Sequence, residues 1–179
     1  MEKDFEFVLE VMDGFVKQRH IQKRLNIIKE QGITGWEIWF QIEFASYIDT
    51  HKEVAEWHRE KQYHMDKRKS KDKFKMAVDF LLRQKRTSKG LYIALELKQH
   101  FRTETCIKNM LNDVLKVNCA RQSHTGFRSF WCIGIHPREE SKVTIKNKIE
   151  KKLIQKDIYM HDLVEIRYIP NTNYAYTIF

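Results

Sequence analysis

The sequence predicts an α/β protein, an α+β mixed sheet flanked by helices. Three observations predict it. Residues 4–31 carry apolar side chains at helical spacing. Residues 75–82 and 91–98 alternate apolar and other residues on either side of a polar turn, as a hairpin does. The full order then reads helix, hairpin, helix, strand, helix, strand, strand. Strands followed by a crossover helix and another strand require a mixed sheet with helices packed on it. At 179 residues the chain fits one domain, large enough for a real core.

Taken in order, Phe5, Val8, Leu9, Val11, Met12, Phe15 and Val16 form the first apolar stripe, continued by Ile21, Leu25, Ile27 and Ile28, with Gly14 as a kink or break. Residues 1–32 thus read as an N-terminal helical segment. Gly32-Ile33-Thr34-Gly35 is a break, and Thr34 is a plausible N-cap for the next helix, over 36–47. On a wheel of 100° per residue, Glu43 lies among Trp36, Trp39, Phe40 and Tyr47. Glu37 and Gln41 fall about 120–160° away, where a solvent face is expected. A carboxylate in an aromatic sector needs a partner. A Glu snorkelling to the edge, or bonded to a core Tyr or Trp, accounts for it as well as a site role does.

Residues 49–75 read as polar helix and then a basic run containing Lys67, Arg68, Lys69, Lys71 and Lys73, with Trp57 and Tyr63 interleaved. Cations with aromatics suit a nucleic-acid backbone and exposed bases, and a solvated linker has the same composition. In the hairpin that follows, Met76, Val78, Phe80 and Leu82 share one face of the first strand, and Leu91, Ile93, Leu95 and Leu97 one face of the second. The turn carries Arg83, Lys85, Arg86 and Lys89 and ends at Gly90. A helix starts at Thr103 or Thr105, with a core stripe of Cys106, Ile107, Met110, Leu111, Val114 and Leu115. Residues 129–136 form a buried strand ended by Pro137. Residues 141–157 form a basic amphipathic helix, and 162–170 and 173–179 are closing strands.

Composition narrows the function. No run of 18 apolar residues exists, so no membrane span is expected, and the acidic start MEKDFEF is unlike a signal peptide. Cys106, Cys119 and Cys132 are few, odd in number and never in a C-x-x-C pair. They indicate neither a disulfide framework nor a zinc site, and point to a reducing, cytoplasmic setting. Lys and Arg number 33 against 24 Asp and Glu, a net charge of +9, which points towards nucleic acid or another polyanion.

The hairpin carries the chemistry. With the turn centred on Thr87–Ser88, numbers of opposed residues sum to 175, placing Asp79 opposite Glu96 with Cβ atoms about 4.5–5.5 Å apart. Lys98 shares the Glu96 face. Two carboxylates this close repel unless a cation lies between them, and a divalent ion with oxygen ligands is the natural candidate. A half-buried hairpin with solvated charges is the alternative. It is weakened because Asp79 and Glu96 lie inside nearly apolar strands, where an unpaired charge is costly.

Asp79 followed by Glu96-Leu97-Lys98 on the next strand resembles the signature of the PD-(D/E)xK nuclease superfamily, with Val78 where the family prefers Pro. The resemblance implies a restriction-endonuclease-like α-β-β-β-α-β core over about 33–136, with the helical segment before it and a helix and strands over 137–179 after it. It implies that Asp79 and Glu96 bind Mg²⁺, for which Mn²⁺ substitutes, and that Lys98 positions or activates the attacking water. It also implies a helix-borne acid, Glu43, at the metal site. The expected function is metal-dependent hydrolysis of phosphodiester bonds, of DNA, with endonucleolytic cutting favoured; members of the family that cut duplexes are often dimers, so the resemblance allows a homodimer, and no residue distinguishes single from double strands. Two other readings stay open: a nucleic-acid-binding protein without catalysis, and a basic partner or immunity-type protein whose face meets an acidic protein.

Overall fold

The computed structural model describes residues 1–64, 75–121, 127–138, 141–155 and 163–179. Two helices open the chain, α1 (Glu2–Val16) and α2 (Arg19–Glu30). The break between them falls at Gln18, which is extended (φ −68°, ψ 127°), and not at Gly14. Helix α1 runs through Gly14, which makes room for the helix that follows α2: a Cβ would stand 2.1 Å from the Tyr47 hydroxyl. Helix α2 stops as its sequence predicts. Gly32 turns left-handed (φ 62°), Ile33 N–H donates to the Ile28 carbonyl and Gly32 N–H to that of Lys29, the Schellman pattern. Helix α3 (Glu37–Asp49) begins after Trp36, so Thr34 does not cap it.

Strand β1 (Val54–His64) occupies part of the stretch that reads as polar helix and basic run. The correction has a physical reason. β1 is the edge of the sheet, so few of its side chains must be apolar, and VAEWHREKQYH shows no clean two-residue period. Strands β2 (Lys75–Gln84) and β3 (Tyr92–Gln99) form the expected hairpin. Its pairs Phe80↔Leu95, Leu81↔Ala94 and Leu82↔Ile93 each sum to 175. Helix α4 (Thr103–Arg121) crosses over to β4 (Phe127–Pro137), which runs parallel to β3. Helix α5 (Lys142–Gln155) leads to β5 (Glu165–Tyr168) and β6 (Tyr174–Ile178). The strand order is β1-β2-β3-β4-β6-β5, a six-stranded mixed sheet with every pairing but β3–β4 antiparallel.

Helices cover both faces. Against one, α1–α3 pack Phe15, Phe40 and Phe44 on Phe80, Leu82, Ile93, Leu95 and Tyr176. The N-terminal helices therefore belong to the principal core. Two acids tie α1 to the sheet: Asp4 accepts from Arg128 and Ser129, and Asp13 from Arg167 and the Tyr176 hydroxyl. Against the other face lie Cys106, Met110, Leu111, Ile145, Ile149 and Leu153 of α4 and α5. Val143 and Ile154, which belong to the apolar stripe of α5 by spacing, are exposed.

Candidate active site

The β2–β3 ladder ends one step short of the acid pair. Its last paired residues are Phe80 and Leu95, and the next step would pair Asp79 with Glu96. Instead the Asp79 carboxylate accepts the backbone N–H of Leu97 at 2.7 Å, an amide that a continued ladder would give to a β2 carbonyl. The alternation of β2 breaks at the same place. Phe80 and Leu82 join the α1–α3 core as predicted, whereas Val78 packs with Leu81 on the other side. Across from Asp79 in the β1–β2 register stands Glu60, whose φ of 53° lies in the left-handed region. A non-glycine residue there costs about 1–2 kcal/mol, and such irregularities gather at functional sites.

Glu96 and Lys98 alternate out of the Ile93–Leu95–Leu97 face as expected. Lys98 Nζ lies 2.6 Å from Glu96 Oε1 and 3.3 Å from Oδ2 of Asp113, an α4 residue that also binds Lys116. The Asp113 position was legible in part. It falls three residues after Met110 and four before Val117, inside the buried stripe of α4, where a carboxylate is out of place. Leu115, assigned to that stripe by spacing, is only half-buried.

The α3 acid that meets this cluster is Glu37. Glu37 Oε2 accepts the N–H of Gln99 at 3.2 Å, and its charge acts on Lys98, Asp79 and Asp113. Gln41, one turn on, is 5% exposed; its amide bonds Asp79, and its Oε1 accepts from Arg59 of β1. Glu43 turns towards α2, where Arg24, His20 and the Trp39 indole N–H bind it. The wheel misleads because the aromatic sector is not the centre of the buried arc. Phe40, Gln41, Phe44 and Ile48 are buried, and Glu37 lies in the middle of their arc, while Ile38 and Ile42 face solvent.

Electrostatics set these groups apart. Burial, and then the charge of Asp79, push the Glu96 carboxyl up to about 7 against the pull of Lys98. Burial also raises Asp79 and Glu37, opposed by their backbone hydrogen bonds and by Lys98. Burial alone would lower Lys98, but Glu96, Asp113 and Asp79 hold its ammonium above the ordinary lysine range. Four carboxylates thus crowd one lysine, which does not neutralise them. Hard oxygen donors with surplus negative charge suit a divalent cation. Among the described residues no group of three Asp, Glu, His or Cys side chains is arranged to hold a metal by itself. An acid pair completed by water and substrate phosphate is the pattern Mg²⁺ favours. Cys106 and Cys132 are free and buried, and burial pushes the Cys106 thiol up to about 12, which disqualifies it as a nucleophile near neutral pH.

Of the basic residues expected to meet nucleic acid, Lys85, Arg86 and Lys89 are exposed in the β2–β3 turn. Arg83 is not available in the same way: its Nε binds Glu56 at 3.0 Å and the side chain is largely covered. Lys67, Arg68, Lys69, Lys71 and Lys73 lie outside the described residues. No helix among the described residues is long and apolar enough to cross a membrane. No family model, curated protein or solved structure matches the chain.

Proposed function

We propose that the chain is a metal-dependent nuclease of the PD-(D/E)xK type that hydrolyses phosphodiester bonds of DNA, with endonucleolytic attack and Mg²⁺ or Mn²⁺ as the ion. The observation that carries the reading is the meeting of Asp79, Glu96 and Lys98 where β2 and β3 part. The succession α3, β1, β2, β3, α4, β4 supports it, since it runs in the α-β-β-β-α-β order that a restriction-endonuclease-like core requires.

In this reading Asp79 and Glu96 hold the ion, with Glu37 as the helix-borne acid behind them. When bound, the ion polarises the phosphate and supplies a more acidic water. The protein residues have distinct roles. The Asp79 carboxylate is fixed by the Leu97 N–H and by Gln41, so it presents a preset oxygen. Lys98 stays protonated, so it works as a cation and hydrogen-bond donor towards the phosphate rather than as a base. Asp113 keeps the Lys98 ammonium in place when Glu96 turns to other partners. The exposed Lys85, Arg86 and Lys89 meet the nucleic-acid backbone, and a homodimer would bring two such sites to the two strands of a duplex.

The test is incubation with supercoiled plasmid, linear duplex, single-stranded DNA and RNA, each with Mg²⁺, Mn²⁺ or EDTA, beside Asp79→Ala and Lys98→Ala. Metal-dependent cleavage lost in both variants is the expected result. DNA retention without cleavage, indifferent to metal, replaces this reading with a binding protein. Neither cleavage nor binding replaces it with a partner-protein role.

A further inference from the structure

We propose that Phe101, backed by His100 and flanked by Arg102, is a stacking platform for one unpaired nucleobase beside the active site. This inference rests on the nucleic-acid reading of that site and adds what the site alone does not give, a preference for a strand with free bases.

Among the described residues Phe101 is the one Phe, Trp or Tyr side chain that is exposed, at 59%. The indoles, the other phenyl rings and the tyrosines described are buried or half-buried in the layers of the fold. An exposed aliphatic side chain is ordinary on any surface. A phenyl ring held in a fixed attitude in water is less so. The His100 ring stacks on Phe101 with centroids 4.5 Å apart and planes 23° apart. The His100 ring is itself positioned, since its Nδ1 accepts the backbone N–H of Arg102 at 3.0 Å. His100 N–H donates to the Ile135 carbonyl, pinning the segment to β4. The Arg102 guanidinium carbon lies over the Phe101 ring, 5.3 Å from its centroid and within cation–π range, and this arginine is exposed. The trio is therefore an oriented aromatic surface with an exposed cation in contact with it, the combination that binds bases and their phosphates without reading sequence.

Its location fits. Phe101 follows Lys98 by three residues, so their Cα atoms are within about 11 Å. The same edge of the sheet carries more positive charge. Gly134 and Ile135 of β4 pair with Lys98 and Gln99, and β4 is followed directly by exposed Arg138. The Arg138 guanidinium lies 3.7 Å from the Tyr168 ring centroid and the ammonium of exposed Lys142 lies 5.2 Å from it. Tyr168 is level with His136 through Ala175, three strands from β3, a span of about 14 Å. A strand leaving the active site across Phe101 would pass Arg102 and then Arg138 and Lys142.

The test is binding of a ten-residue oligothymidylate carrying one 2-aminopurine, and of the same oligomer in duplex form. Ca²⁺ replaces Mg²⁺ and salt is held fixed. The full chain, Phe101→Ala, Phe101→Trp and Asp79→Ala are compared. The expected result is quenching of the 2-aminopurine by the unsubstituted protein. Phe101→Ala should then bind the single strand about five- to a hundredfold more weakly, the range of one base–aromatic stack. Its duplex affinity should stay within about twofold, and Phe101→Trp should restore single-strand affinity. No single-strand binding by the unsubstituted protein overturns the platform, as does unchanged single-strand binding by Phe101→Ala or an equal loss on single strand and duplex. The two readings fail separately. Quenching that depends on Phe101, with no cleavage of any substrate, removes the nuclease and keeps the platform. Cleavage that depends on Asp79, with Phe101→Ala binding and cutting single strands normally, does the reverse.

Discussion

Glu56 on β1 and Glu96 on β3 sit in the same three-stranded part of the sheet and reach opposite ends of the carboxylate range. Glu56 is met by the Tyr92 hydroxyl at 2.7 Å, Arg83 Nε at 3.0 Å and His58 Nε2 at 3.0 Å. The Tyr92 bond and then the Arg83 bond hold its carboxyl down at about 2. Among the described residues Glu96 meets one donor, Lys98; it is half-buried and faces Asp79, and its carboxyl rises to about 7. Both are carboxylates in a strand with a cation two or more residues away. What separates them is the number of donors each meets and the charge each faces. A carboxylate that its neighbours satisfy has a structural task. One that the fold buries beside another acid, without enough positive charge, is a candidate for binding something the chain does not supply.

The comparison breaks most sharply on activity. Asp79→Ala and Glu96→Ala should each lower metal-dependent cleavage by at least about a hundredfold, while Glu56→Gln leaves the cleavage rate per folded molecule unchanged. Rates should be measured alongside circular dichroism, so that loss of fold is separated from loss of chemistry.

Stability should move the other way. The folded Glu96 carboxyl titrates near 7, above its unfolded value of 4.5. Between those values the native state keeps a proton that the unfolded chain has lost, so this group makes stability fall as pH rises from about 4.5 to 7. Glu96→Gln removes that loss and should raise unfolding free energy by on the order of 1–3 kcal/mol at pH 8, with no gain at pH 4. Glu56 carries the opposite sign. Its folded value is depressed, so its contribution is full above 4.5 and disappears as pH falls towards 2. Glu56→Gln should therefore lower the melting temperature at pH 7, and the difference should close in acid.

Smaller effects sharpen the picture. Asp113→Asn removes the charge of one of the two carboxylates in contact with the Lys98 ammonium, and about a tenfold loss of cleavage is expected with little change in substrate binding. Glu37→Gln belongs to the same range. Glu43→Gln should leave cleavage within twofold and cost at most about 1 kcal/mol of stability, because the ion pairs it loses are partly solvated. A large loss of cleavage in Glu43→Gln, with Glu37→Gln unaffected, would reverse the assignment of the helix-borne acid.

The sequence by itself determined the elements whose period was strong. The register of β2 and β3 follows from a polar turn between two alternating runs, because side chains two apart share a face and a one-residue slip would expose the core. The end of α2 at Gly32, the crossover helix α4 and buried strand β4 were legible for similar local reasons. Only the tertiary structure revealed β1, since an edge strand carries little apolar pattern. Only it brought Glu37, rather than Glu43, to the Lys98 cluster, because the arc of α3 that meets the sheet is set by packing on the core, and aromatic residues also flank that arc. Only it joined Asp113 to Lys98 across helix and strand. Local period is written in neighbours along the chain. Which charged group meets which is decided by distance through space and by the water each one loses, and neither exists until the layers close.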